Sequence, residues 1–202
     1  MIDCLYDTFR SWSCLGSVYI ISDTHFGDSQ CREIDPLWPS PEAHIALLRN
    51  YITRDDTVIH LGDVGDPRYM EKIPGTKVLI MGNHDKRSDC APYFQEIFDG
   101  PLYIGKKILL SHEPILIPGA VNIHGHVHND GISGGNVMRF GLSEFAGMNR
   151  AANVCGYLPL NLGKAIRHGL LSGVKDIHRL TINAAVERKN SPDYAEETEE
   201  SE

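Results

Sequence analysis

The chain has 202 residues, of which 42% are hydrophobic and 23% charged, and a formal net charge of −8. That length supports a core without covalent staples, and that composition excludes a disordered chain and a membrane-spanning one. The acidity is concentrated in residues 191–202, where Asp193, Glu196, Glu197, Glu199, Glu200 and Glu202 stand without a base; setting those six aside leaves −2, and no basic field of the kind a dedicated nucleic-acid binder carries.

In chain order, residues 1–16 read as an N-terminal extension. Asp3, Asp7 and Arg10 are scattered among its apolar residues, so it lacks the basic head and apolar core of a secretory signal, and a cytoplasmic location is expected. From Ser17 onward, short apolar runs bounded by glycine or small polar residues predict strands: SVYIIS (17–22), TVIHLG (57–62), KVLIMG (77–82), KKILLS (106–111) and AVNIHG (120–125). Between the first two, SPEAHIALLRNYI predicts a helix capped by Ser40, with Pro41 at its first position and Ile45, Leu48 and Ile52 at helical spacing; His44 reads as exposed on it. DPRYMEKI and DCAPYFQEIF read as shorter helices, NDGISGGNVMRF as an antiparallel addition and NVCGYLPL as a further strand. LGKAIRHGLL and KDIHRLTINAAVER read as helices, and residues 191–202 as a disordered tail. Alternating strands and helices over residues 17–190 predict a single α/β domain. Cys4, Cys14, Cys31, Cys90 and Cys155 are odd in number and form no Cys-x-x-Cys pair, which points to reduced packing thiols.

The run IHGHVHND holds His124, His126 and His128 at alternate positions. An extended backbone would put all three on one face and a bend at Gly125 would divide them, so the run reads either as a polar loop or as part of a metal site. The residues after the apolar runs separate these readings: Asp23 and His25, then Asp63, then Asn83, His84 and Asp85, then His112, then His126 and His128. In α/β sheets, ligands collect outside the carboxyl ends of strands, where loops aim side chains at a common point. Oxygen and nitrogen donors without thiolate suit manganese, iron, zinc, cobalt or nickel, and there are more of them than one tetrahedral ion needs. Two divalent ions about 3.5–4 Å apart can hold a hydroxide between them and clamp a phosphate, so the pattern points to phosphoester hydrolysis. His60 and His124 read as buried, hydrogen-bonded histidines, and Lys86 and Arg87 as a solvated basic turn.

The five motifs DTH, GDVGD, GNHD, SHEP and GHVH stand in this order, and on them the chain resembles the calcineurin-like metallophosphoesterases over residues 18 to about 130, with NVCGYLPL similar to that family's closing strand. The resemblance implies a metallophosphoesterase fold: α/β, with mixed sheets packed as a sandwich and flanked by helices. It implies one divalent metal on Asp23, His25 and His128, another on Asn83, His112 and His126, and Asp63 bridging both, with manganese the first expectation. His84 would assist the leaving group, Asp66 would orient the His84 imidazole, and Asp85 would brace the loop. Unlike the family's protein phosphatases, the chain has Pro67 and Arg68 after Asp66, and Asp85 in place of the usual Glu. The expected substrate is therefore a small phosphodiester or nucleotide derivative bound in an open cleft. Two other readings stay open: a metal-dependent nuclease, which needs a basic groove, and a non-catalytic scaffold for protein partners, which would be expected to have lost ligands.

Overall fold

The computed structural model describes residues 3–4, 6–12, 15–129, 134–140, 145–172 and 174. The helix expected over 175–188 and the acidic tail lie outside them. The elements are β1 (Asp3–Cys4), α1 (Tyr6–Trp12), β2 (Val18–Ile21), α2 (Cys31–Ile34), α3 (Pro41–Leu48), β3 (Thr57–His60), a 3-10 helix (Pro67–Lys72), β4 (Thr76–Ile80), α4 (Arg87–Cys90), β5 (Glu96–Phe98), β6 (Leu102–Ile104), β7 (Ile108–Leu110), β8 (Ala120–His124), β9 (Met138–Phe140), β10 (Phe145–Asn149), β11 (Leu160–Asn161) and α5 (Leu162–Arg167).

The strands form two mixed sheets, ordered β11-β2-β3-β4-β5 and β1-β6-β7-β8-β10-β9. In the first, β2 to β5 are parallel and β11 runs against β2; in the second, β7, β8 and β10 are parallel. Side chains alternate between sheet faces. Val18, Ile20, Ile59, Val78 and Ile80 therefore face the second sheet and pack with Leu110, Val121, Ile123 and Met148. Tyr19, Ile21, Val58 and Leu79 face the other way and pack under Ile45, Leu48 and Ile52 of the α3 region and Met70 and Ile73 of the 3-10 helix segment. The result is the expected sandwich, flanked by helices on the outer face of the first sheet. Trp12 joins the inter-sheet core and its indole N–H donates to Glu96 Oε1 at 2.8 Å. The α3 helix begins as its sequence predicts: Ser40 Oγ accepts from Ala43 N at 3.2 Å and Pro41 follows.

Three expectations are corrected. DCAPYFQEIF is helical only as far as Cys90, because Pro92 has no N–H with which to extend the helix. Its second half is drawn into β5 instead, where Glu96, Ile97 and Phe98 pair with the open edge of β4, a tertiary pairing that overrides local propensity. NVCGYLPL is mostly turn: Gly156 and Tyr157 both take φ 64°, which no strand tolerates, and only Leu160 enters β11. His44 is buried, not exposed. It packs between the rings of Phe26 and Tyr157, and its Nε2 is 3.1 Å from the carbonyl of Tyr157, to which it donates.

Candidate metal centre

The parallel pairing of β2, β3 and β4 brings their carboxyl ends level, with Ile21 opposite His60 and His60 opposite Leu79. The carboxyl ends of β7 and β8 approach from the second sheet. The approach is close enough that a Cβ on Gly125 would lie 2.0 Å from Ser22 Oγ and 2.1 Å from Asp23 Oδ2, and one on Gly82 would lie 2.3 Å from Asp63 Oδ1. Glycine stands ahead of the donors in GNHD and GHVH because no side chain fits there. The backbone then turns sharply: Asp23, His25, Asp63 and His126 take φ of 52°, 40°, 56° and 67°. Residues other than glycine seldom occupy this left-handed region, and where they do the surrounding structure holds them there, commonly at functional sites.

These turns gather the seven expected donors into two adjoining groups. In the first, His128 Nε2 lies 3.3 Å from His25 Nε2 and 3.4 Å from Asp23 Oδ1. In the second, His112 Nε2 lies 2.9 Å from Asn83 Oδ1, 3.1 Å from His126 Nδ1 and 3.5 Å from Asp63 Oδ2. Asp63 Oδ2 is also 3.7 Å from His25 Nε2, so its carboxylate belongs to both. The histidine run is thus divided. His126 joins one group, His128 the other, and His124 is buried at the end of β8, its Nδ1 donating to Gly125 O at 2.9 Å.

Second contacts determine which nitrogen of each ring is free. His112 Nδ1 donates to Leu61 O at 2.8 Å, which leaves Nε2 as a bare lone pair. Asn153 Nδ2 donates to His128 O at 2.6 Å, which turns its Oδ1 toward the ring, where it accepts from His128 Nδ1 at 3.2 Å; His128 Nε2 is bare as well. The acceptors facing these lone pairs are the Asn83 amide oxygen and carboxylate oxygens of Asp63 and Asp23. Acceptor facing acceptor at such distances calls for a cation between them, and outer contacts of this kind orient metal-bound histidines. Asp23 takes a hydrogen bond from Ser22 Oγ and two contacts at 3.0 Å from His126 N, while its burial pushes the carboxyl up to about 6. Burial holds the His25 imidazole below its ordinary value and so in the neutral form that ligates. The donor set fits two divalent ions.

His84 stands exposed at the mouth, its N–H donating to Asp63 Oδ1 at 3.1 Å and its ring centroid 5.9 Å from that of His25. The expected pairing of Asp66 with His84 is not formed. The Asp66 carboxylate takes hydrogen bonds from Arg68 Nε at 2.9 Å and Arg68 Nη2 at 2.7 Å, which lower its pKa from the ordinary value. It also caps the 3-10 helix through Arg68 N. Asp85 braces the loop, accepting from the backbone N–H groups of Asp63, Val64 and Gly82. Arg87 is committed to Asp99 at 2.8 Å. Sequence reasoning missed Ser22, Asn153 and Trp38, whose hydroxyl, amide and ring support the donors; Trp38 packs on both His25 and His128. No sequence signal marks Asn153, because its partner is 25 residues away.

The family model for calcineurin-like phosphoesterases matches residues 16–193. The chain belongs to that family. A calcineurin-like phosphoesterase is a metal-dependent phosphoester hydrolase, and the paired donor groups could hold divalent ions. Among solved structures, the phosphoesterase is similar to a protein of unknown function, AQ665 from Aquifex aeolicus, at 25% identity and a TM-score of 0.57 over 75% of this chain and 98% of that one. It is also similar to the nuclease MPE of Pseudomonas putida, at 18% identity and a TM-score of 0.43 over 66% of this chain and 74% of that one. No curated protein matches it significantly in sequence. Among the described residues, no helix is long and apolar enough to cross a membrane.

Proposed function

We propose that the phosphoesterase hydrolyses small phosphodiesters with two manganese ions, one on Asp23, His25 and His128, the other on Asn83, His112 and His126, and both on Asp63. The observation that carries this reading is the pair of lone-pair clusters sharing the Asp63 carboxylate. Once bound, such ions supply Lewis-acid stabilisation of phosphoryl oxygens and a water acidified toward neutral pH. Leu61 O and Asn153 Oδ1 keep His112 and His128 in the ligating tautomer throughout. His84, exposed beside His25, is placed to give a proton to the departing ester oxygen. Its loop is held by the bond from His84 N to Asp63 and by Asp85, with no share for Asp66.

The preference for diesters follows from charge. Among the described residues, no lysine or arginine hydrogen-bonds to any of the seven donors, so no side-chain cation in contact with the donor set offsets the second negative charge of a monoester. The open mouth around Asn83 and His84 suits small substrates, and the reduced-thiol composition suits a cytoplasmic setting. The test is turnover of an aryl phosphodiester and an aryl phosphomonoester by chelated protein before and after manganese is restored. The diester is expected to be the faster substrate, and absence of metal-dependent turnover on either would refute the reading. His84→Asn is expected to lower kcat by about 10²–10⁴-fold while bound manganese, measured by elemental analysis, stays unchanged.

A further inference from the structure

Next to the donor groups lies a cavity of about 310 Å³, at the small end of the range of about 300–1,000 Å³ typical of ligand pockets. His25 and Trp38 are its common wall with the metal centre: both line the cavity, and Trp38 touches the rings of His25 and His128 with centroids 6.1 and 5.9 Å apart. The rest of the lining comes from the segment between β2 and α3 and from the start of α3.

This lining combines flat apolar walls with uncommitted polar groups. Phe26, Trp38 and two prolines form the walls. Among the described residues, the Arg32 guanidinium and the Trp38 indole N–H have no hydrogen-bond partner, in contrast to Arg68 and Arg87, which are each tied to a carboxylate. The Ser40 hydroxyl accepts from Ala43 N and keeps its own hydrogen free. Asp28 supplies a carboxylate, one oxygen of which accepts from Gln30 N at 2.8 Å. The cavity therefore offers several donors and one anionic acceptor around apolar faces. An alkyl group there would leave the donors unpaired, which is unfavourable, and with Asp28 beside Arg32 the lining has no net positive charge to hold a second phosphate. A ring-bearing alcohol with acceptors and donors along its edges matches both the walls and the rim.

Building on the phosphodiesterase reading above, we propose that this cavity seats the second ester group of the substrate, and that this group is a polar ring alcohol, a nucleoside or a hexose. Arg32 and Trp38 then determine specificity from outside the metal centre. The test uses the full chain loaded with manganese and three p-nitrophenyl phosphodiesters that share the leaving group and differ in the other ester: methyl, thymidine 5′ and glucose 6. One ring ester should exceed the methyl ester in kcat/KM by at least about tenfold, the discrimination one filled pocket provides. The preferred ring distinguishes nucleoside from hexose. Arg32→Gln and the cavity-filling Ser29→Tyr should each bring the ratio toward one, through KM more than kcat. Equal kcat/KM for the three esters, or a ratio unmoved in Arg32→Gln and in a Ser29→Tyr protein that melts cooperatively, would overturn the proposal. A second measurement titrates thymidine 5′-monophosphate and glucose 6-phosphate against the fluorescence of the chain's 2 tryptophans, where saturable quenching lost in Arg32→Gln is expected. If no ester is hydrolysed, the phosphodiesterase reading falls, and the cavity is judged by that titration: no saturable quenching from either ligand overturns it.

Discussion

Asp85 touches no expected metal, yet the loops of the centre depend on it. Its Oδ2 accepts from Asp63 N at 2.9 Å and Gly82 N at 2.8 Å, and its Oδ1 from Val64 N at 3.0 Å. One carboxylate thus ties the turn after β3 to the turn after β4. Asp85→Ala would free three backbone donors at once. A hydrogen bond to a charged group contributes about 1.5–3 kcal/mol, so three would exceed about 4 kcal/mol if all were sealed from water. Asp85 is only half-buried and water can reach part of the gap, so the expected loss is about 3 kcal/mol. For a chain of this size that lowers Tm by roughly 6–12 °C. Because Asp63 would shift, manganese affinity should also fall by about 10–100-fold. Circular-dichroism melts of the chelated protein measure the first effect and isothermal titration with manganese the second. Asp85→Asn, which turns an amide N–H toward backbone donors, should fall between wild type and Asp85→Ala. A stability loss under about 0.5 kcal/mol for Asp85→Ala would refute the role given to this residue.

Gly125→Ala should cost about 1–3 kcal/mol and weaken manganese binding by displacing Asp23, whereas Gly100→Ala, whose Cβ meets nothing within 4 Å, should change neither; equal manganese affinity in the two variants would count against the close approach of β8 to β2. Burial holds His60 down to about 3 and His44 down to about 4 from 6.5, so both are neutral in the fold and gain a proton on unfolding at lower pH. The stability of the metal-free protein should therefore be full above pH 6.5 and fall as pH drops toward 4, by up to about 1.4 kcal/mol per pH unit for each group. Asp23, raised from 3.8 to about 6, binds its proton more readily in the fold and offsets one of the two between those values. Urea melts across this range should show a shallower slope in His44→Phe, and an unchanged slope would contradict the burial argument. Among the described residues, His44 Nδ1 and Arg150 Nε are buried without a protein partner and line one cavity of about 10 Å³, room for a single water. With His44 Nε2–H on Tyr157 O, one atom accepts and the other donates, so a high-resolution crystal structure should show an ordered water between them, and a dry cavity would argue otherwise.

The readings that succeeded rest on local chemistry. Apolar runs broken by glycine marked β2, β3, β4, β7 and β8, and the donors after them were visible as residue types at strand ends. Where pairing with a distant segment decides the structure, local reading failed. Glu96–Phe98 becomes a strand only because the edge of β4 is open to it. β10 lies outside every run read as a strand, yet it pairs with β8 over five residues. His44 looked exposed on its helix because Tyr157, the residue that covers it, is 113 positions away. One failure is local instead: Asp66 sits in the motif that suggested a role beside His84, but Arg68, two residues on, takes its carboxylate.

From sequence alone come the strand ends, the donor types, their order, and hence the class of chemistry, since each is a property of a few neighbouring residues. Tertiary structure alone decides that the two sheets converge at those ends, that Asp23, His25, Asp63 and His126 adopt left-handed backbone so their side chains turn inward, and which ring nitrogen stays bare. These depend on contacts among residues from 25 to 103 positions apart. No local propensity encodes such contacts, because the left-handed turn is unfavourable until the packing around it is complete.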